Sequence, residues 1–329
     1  MIIESPLELI FRDLFYRLPA FAGRHDVFLK LEGFNVTGSI KIKTAMALVE
    51  DLERKGLTRP NETVIVESSS GNLGLALSLV CAIKGYKFIC VTDPNANRST
   101  VRAIELYGAE VIVVEDRDPA GGFLQTRLRK IDQILKSEPN AVWLNQYANE
   151  ANKNAHVEQT ANEIAREFER VDWIFVGSGT TGTLSGISER LRREFPKIKI
   201  VAVEPEGSVT FGGAPGKRNI PGIGTSVRPK LADFANPDKV VAISEEKTIE
   251  ACHSFVRTHH MLVGGSTGTV LAAIKQFAPE FRRGDTIVAI SPDLGDKYLD
   301  TVFDPAWVNK VNSREAETLM QGYTLVAAE

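Results

Sequence analysis

None of the apolar runs in this chain of 329 residues approaches the roughly eighteen that a membrane-spanning helix needs, so no membrane partner is expected. The opening MIIESPLELIFRDLF carries charges where a signal peptide needs an apolar stretch, which makes a cytoplasmic protein the expectation. A basic cluster is also missing: 39 Lys and Arg against 42 Asp and Glu give a net charge of -3, which argues against nucleic-acid binding. Cysteine is scarce, and the three present, Cys81, Cys90 and Cys252, are odd in number, widely spaced and set in apolar surroundings. They read as reduced core thiols rather than a disulfide frame or a zinc site. Among five histidines, His259 and His260 are adjacent and lack the i, i+4 spacing that shares a helix face, so no metal is expected.

What is present is 43% hydrophobic residues over a length suited to two domains. Apolar, β-branched runs alternate with amphipathic stretches: TVIVES then GNLGLALSLVCAIKG, KFICVTD then NRSTVRAIELYG, EVIVVED then FLQTRLRKIDQILKS. The alternation resumes with DWIFVGS, GTLSGISERLRREF and IKIVAVEP, and closes with TGTVLAAIKQFA and TIVAISPD. Such repeats predict parallel βαβ units, hence an α/β fold of two lobes joined near 141–150, with a ligand cleft between them. Between Glu206 and Pro229 the pattern stops in a long loop rich in Gly and Pro.

Three Gly/Ser/Thr clusters each follow a β-run and open a helix: SSSGNLG (68–74), GSGTTGT (177–183) and GGSTGT (264–269). Free backbone N–H groups, hydroxyls and the positive end of a helix dipole suit anionic groups, although any one such cluster also serves as an ordinary tight turn. Gly177, Gly179 and Gly182 have GxGxxG spacing, and Glu204 ends the next strand, which keeps an NAD-dependent dehydrogenase open. That alternative gives the other two clusters and Lys41, which follows TGSI, no task. GGAPGKR (212–218) has the wrong spacing for a P-loop.

With TGSIK, SSSGNLG, GTTGT and GGSTG in that order, the chain resembles the fold-type II pyridoxal-phosphate enzymes of the cysteine synthase and cystathionine β-synthase family. The resemblance runs from the strand before Lys41 to DLGDKYL (293–299). It implies a two-domain, tryptophan synthase β-like fold of parallel sheets flanked by helices. A smaller mobile domain would span 41–145, and 1–40 plus 146–329 would form the larger, phosphate-binding one. It also implies pyridoxal 5'-phosphate as cofactor, with Lys41 as its Schiff-base lysine and proton shuttle. Asn72 would bond the ring 3-hydroxyl, Gly179, Thr180, Thr181, Gly182 and Thr183 the phosphate, and Ser266 would face the pyridine nitrogen. Ser69, Ser70, Gly71 and Gln146 would take an amino-acid substrate's carboxylate in a β-replacement through an aminoacrylate. Physical chemistry agrees: an imine-forming lysine needs a depressed pKa, and a neutral serine does not hold the pyridine nitrogen protonated.

The chain departs from ordinary cysteine synthases at Ile42 and Lys43 and in NQYANE (145–150). GGFLQTR (121–127), NQYANE, GSVTFG (207–212), PGIGTS (221–226) and PDLGDKYLD (292–300) are instead similar to the N-(2-amino-2-carboxyethyl)-L-glutamate synthase branch. That branch joins O-phospho-L-serine to L-glutamate for 2,3-diaminopropionate and siderophore biosynthesis. A phosphate leaving group and a dicarboxylate nucleophile call for an extra cation, and Arg127 is the first candidate. Arg127 also reads as an exposed helix arginine, as Arg129 and Lys130 do. Tyr147 reads either as a substrate donor or as packing, and Lys43 as a surface charge or a cation set behind the site. Gly222, in PGIGTS, belongs to a segment expected to close over the site and exclude water. The alternative within the family is a cysteine synthase using O-acetylserine or O-phosphoserine with sulfide, and a binding-only member is a further one. A homodimer is the family habit, and the apolar residues of LELIFRDLFYRL suit such a contact.

Overall fold

The computed structural model describes residues 2–118 and 122–311. Gly121 of GGFLQTR and the far end of the larger expected domain, 312–329, lie outside the described residues. The fold begins with a hairpin, β1 (Phe15–Ala22) and β2 (His25–Leu31), whose turn uses Gly23 at φ 74°, a left-handed conformation natural to glycine. This antiparallel pair departs from the parallel arrangement expected from the βαβ repeat, and it forms an edge of the larger sheet.

Next come α1 (Lys41–Arg54), β3 (Val64–Ser68), α2 (Asn72–Lys84), β4 (Lys87–Thr92), α3 (Arg98–Leu106), β5 (Glu110–Val113), α4 (Leu124–Ser137) and β6 (Ala141–Trp143). Their strands make a wholly parallel sheet in the order β5-β4-β3-β6. All five residues of β3 are buried, the apolar Val64, Ile65 and Val66 and the polar Glu67 and Ser68 alike, as in a strand covered on both faces. Helix α2 is apolar nearly all round and buries nine of its thirteen residues, which makes it an internal helix.

The second half contains α5 (Glu150–Ala155), a π-helical turn (His156–Ala161), α6 (Asn162–Glu167), β7 (Trp173–Gly177), α7 (Gly182–Glu194), β8 (Lys199–Pro205), β9 (Lys239–Ile243), α8 (Glu245–His259), α9 (Gly265–Phe277) and β10 (Ile287–Ser291). The larger sheet runs β1-β2-β10-β7-β8-β9, parallel from β2 onward. One apolar cluster on this sheet joins Leu29, Trp173, Phe175, Phe255 and Ile287, and another joins Ile174, Ile187, Leu191 and Val288. The three cysteines are buried and unpaired, and burial pushes each thiol up to about 12. No helix among the described residues is long and apolar enough to cross a membrane.

Candidate active site

Parallel strands end on the same side, and loops at those ends are where open α/β sheets bind ligands. The loops after β3, β7 and β10, with the first turns of α1, α2, α7 and α9, surround one cavity of about 1170 Å³. Lys41, Ser69, Ser70, Gly71, Asn72, Arg127, Gln146, Tyr147, Gly179, Thr180, Thr181, Gly182, Thr183, Gly222 and Ser266 all line it. The residues that the resemblance assigns to cofactor and substrate therefore all lie on its walls, while Lys43 and Glu204 do not.

Lys41 opens α1 as its first residue. Burial lowers its ammonium pKa to about 8, partly opposed by the charge of Asp293, so the free amine is a minor form at neutrality but far more populated than in an ordinary lysine. In the loop after β3, Ser69 Oγ accepts from Gly71 N (3.3 Å) and Gly74 N (2.9 Å), which holds the loop in a tight curl. Gly74 cannot be larger: an added Cβ would lie 2.8 Å from Cys90 Sγ. Gln146 Nε2 donates to Ser68 O (2.8 Å), while Glu67 accepts from Ser68 N (2.7 Å), Trp143 Nε1 (3.3 Å) and Gln146 N (3.1 Å). Glu67 is buried, and burial pushes its carboxyl up to about 7 against these donors.

Asn72 is engaged at both ends. Its Nδ2 donates to Asp293 Oδ2 (2.7 Å) and its Oδ1 accepts from Lys297 Nζ (2.7 Å); Tyr298 also donates to Asp293 Oδ2 (2.8 Å). Asp293, Lys297 and Tyr298 line the cavity and were not singled out from the sequence, where PDLGDKYLD counted only as a point of likeness. Polar residues directly after the buried strand β10 were the available signal. Thr181 takes a left-handed conformation (φ 65°) just before α7, whose first N–H groups have no intrahelical acceptor.

Arg127 is buried, at 9% exposure, with Nε 3.5 Å from Asp93 Oδ2 and without a hydrogen-bond partner. Its reading as an exposed helix arginine is overturned, because α4 packs that face inward; Arg129, two residues on, is the exposed one. Tyr147 lies beside it, and burial raises its phenol pKa against the opposing charge of Arg127. Lys43 also departs from its surface reading. It is 1% exposed, with Nζ 2.9 Å from Glu32 and 2.7 Å from Glu163, and Lys30 Nζ is 2.7 Å from the same Glu163 oxygen. Glu204, the acid a dinucleotide site would need, is buried and accepts from Ser208 Oγ.

The donor set suits a small phosphorylated aldehyde: a half-buried lysine amine with depressed pKa, and a helix N-terminus lined with Gly and Thr. At Gly179 an added Cβ would meet only Gly222 O, at 3.6 Å, so the loop is open for a ligand's close approach. Among the described residues no group of three or more His, Cys, Asp or Glu is arranged to hold a metal.

Residues 8–293 match the family described as pyridoxal-phosphate dependent enzymes. The O-acetylserine dependent cystathionine β-synthase of Helicobacter pylori is 27% identical over 92% of this chain and 98% of its own, with TM-score 0.85. An O-ureido-L-serine synthase is 30% identical over 93% and 96%, with TM-score 0.83. A hydrogen sulfide-producing enzyme of Fusobacterium nucleatum is 30% identical over 91% and 99%, also with TM-score 0.83. The GxGxxG spacing thus falls inside a match to a different cofactor family, and this chain belongs to the pyridoxal-phosphate dependent enzymes, as a β-replacement member of the cysteine synthase and cystathionine β-synthase type.

Proposed function

We propose that the protein replaces the phosphate of O-phospho-L-serine with the amino group of L-glutamate, giving N-(2-amino-2-carboxyethyl)-L-glutamate and phosphate for 2,3-diaminopropionate and siderophore biosynthesis. The observation that carries this reading is Arg127, a buried guanidinium that lines the cavity beside Tyr147 and whose Nε, 3.5 Å from Asp93 Oδ2, makes no hydrogen bond. A phosphate leaving group and a dicarboxylate nucleophile are more anionic than acetate or sulfide and gain more from such a cation.

Bound pyridoxal phosphate supplies the electron sink that acidifies the substrate's α-proton and lets its β-substituent depart. Gly179 to Thr183 would hold its phosphate group, Asn72 the ring hydroxyl, and Ser266, a neutral partner, the ring nitrogen. Ser69, Ser70, Gly71 and Gln146 orient the substrate carboxylate. Lys41 would hold the cofactor covalently, and its free amine would take the proton from the substrate's Cα at Nζ. Arg127 and Tyr147 meet the departing phosphate and then the nucleophile's carboxylate. The segment 221–226, with Gly222 (φ 88°) and Gly224 (φ 75°) as its left-handed positions, closes over the site and excludes water. The domain spanning 41–145 moves with this closure, and exposed Leu9 and Phe11 support a homodimer contact.

A cysteine synthase reading is favoured by the O-acetylserine dependence and hydrogen sulfide production named for two of the solved relatives. Purified protein offered O-phosphoserine or O-acetylserine with glutamate, aspartate or sulfide, and its products weighed by mass spectrometry, separates the two. The phosphoserine and glutamate adduct is expected; cysteine alone, from any donor, would sink the proposal. Arg127→Leu is expected to lower kcat/KM for O-phosphoserine by about 10²-fold and for O-acetylserine far less, since only the former loses a charge-assisted contact. Equal losses would remove the phosphate role from Arg127.

A further inference from the structure

The reaction above gives Lys43 no task, yet its ammonium is buried among partners that lead to the cofactor's phosphate loop. Besides Glu32 and Glu163, Lys43 Nζ donates to Thr160 Oγ1 at 3.4 Å. An ammonium only donates, so Thr160 accepts there, and its own proton has one acceptor among the described residues, His156 Nδ1 at 3.1 Å. Burial, with the charges of Lys41 and Lys43, pushes the His156 pKa well below its ordinary value, so the ring is neutral. A neutral ring that accepts at Nδ1 carries its proton on Nε2. That proton points at Thr44 Oγ1 and Thr183 Oγ1, each 3.2 Å away.

The polarity continues on the other side of the loop. Thr44 donates to Asn152 Oδ1 (3.1 Å), and Asn152 Nδ2 donates to Gln146 O (2.8 Å) and Thr180 Oγ1 (3.1 Å). A backbone carbonyl only accepts, so Gln146 O fixes which way the Asn152 amide faces. Gly182 is glycine because of this amide: an added Cβ would lie 2.3 Å from Asn152 Oδ1. Thr180 and Thr183 thus accept from behind and keep their hydroxyl protons for the cavity they line. Thr181 differs, since its hydroxyl donates to Thr180 O at 2.6 Å.

We propose that Lys43 and Thr160 are positioning residues which, by fixing the tautomer of His156, present the Thr183 hydroxyl as a donor to the cofactor's phosphate group, beside a Thr180 hydroxyl that Asn152 and Gln146 O orient. The proposal rests on the cofactor and is independent of which donor and nucleophile react. Nitrogen NMR of histidine-labelled protein, with the His156 signals identified by their loss in His156→Gln, reads the tautomer directly. Wild type is expected to show an unprotonated Nδ1 and a protonated Nε2. Thr160→Val removes the hydroxyl at nearly constant volume and leaves the ion cluster intact. In it a mixture of tautomers is expected, and apoprotein affinity for pyridoxal phosphate should fall about tenfold relative to that for pyridoxal, which lacks the phosphate. A protonated Nδ1 in wild type overturns the proposal, as does Thr160→Val with either its tautomer or its affinity ratio unchanged. The tautomer is measured without substrate, so failure of the phosphoserine and glutamate reading leaves this result standing on its own.

Discussion

Lys41→Ala is expected to lower kcat by at least about 10³-fold with every substrate pair, while the folded protein still takes up pyridoxal phosphate without covalent attachment. Two losses combine, because the variant lacks both the amine that holds the cofactor and the group that takes the proton from Cα. The fold should survive, since Lys41 is only the half-buried first residue of α1 and its amine has no ion-pair partner within the described contacts. Wild-type protein should be yellow, and borohydride should fix the label on Lys41. In the variant the same treatment should leave the peptide unlabelled. The depressed pKa sets the pH dependence. Below about 8 the amine is mostly ammonium and cannot attack the aldehyde, so capture of added pyridoxal phosphate should speed up as pH rises through about 8 and then level off. A rate still climbing toward the ordinary lysine value of 10.5 would mean that burial does not depress this amine. Normal turnover by Lys41→Ala would remove the residue from the mechanism altogether.

The cavity walls were legible because their chemistry is local. A Gly/Ser/Thr cluster between a β-run and a helix makes an anion-binding terminus wherever the chain goes, and three such clusters met in one cavity. Charges were legible only up to their direction. Arg127 and Arg129 sit two residues apart on α4, so periodicity puts them on different faces, but which face meets the cavity depends on how α4 packs on β3 and β6. Asn72 is a similar case: its ties to Asp293 and Lys297 cross more than two hundred residues of sequence. The antiparallel β1–β2 edge was hidden because the alternation of strands and helices starts only after it. One signal was available and unused. Asn152, His156 and Thr160 recur at i, i+4 and i+8, a polar stripe on one face of a helical segment, and that face turns inward to the phosphate loop.

Lys43→Met should cost about 3–5 kcal/mol of stability, the amount typical of removing one partner from a buried ion pair. Lys30, Lys43, Glu32 and Glu163 are each no more than 3% exposed and balance two charges of each sign. Methionine fills most of the lysine's volume, so a cavity contributes little and the loss is electrostatic: Lys30 alone remains to face two carboxylates. The remaining excess negative charge favours protonation of one of them, so the destabilisation should shrink as pH falls, which a packing defect would not do. Denaturant unfolding of wild type and Lys43→Met at neutral and mildly acidic pH measures both points. Adding Glu163→Gln supplies the decisive comparison, because the double variant restores one charge of each sign and should recover part of the lost stability. Strictly additive losses in the double variant would show that Lys43 and Glu163 do not act as a pair. The isoleucine between the two lysines then has a plain role: Ile42 is fully buried in an apolar cluster with Leu48, Ile65 and Leu77, so α1 turns Lys41 toward the cavity and Lys43 toward the ion cluster.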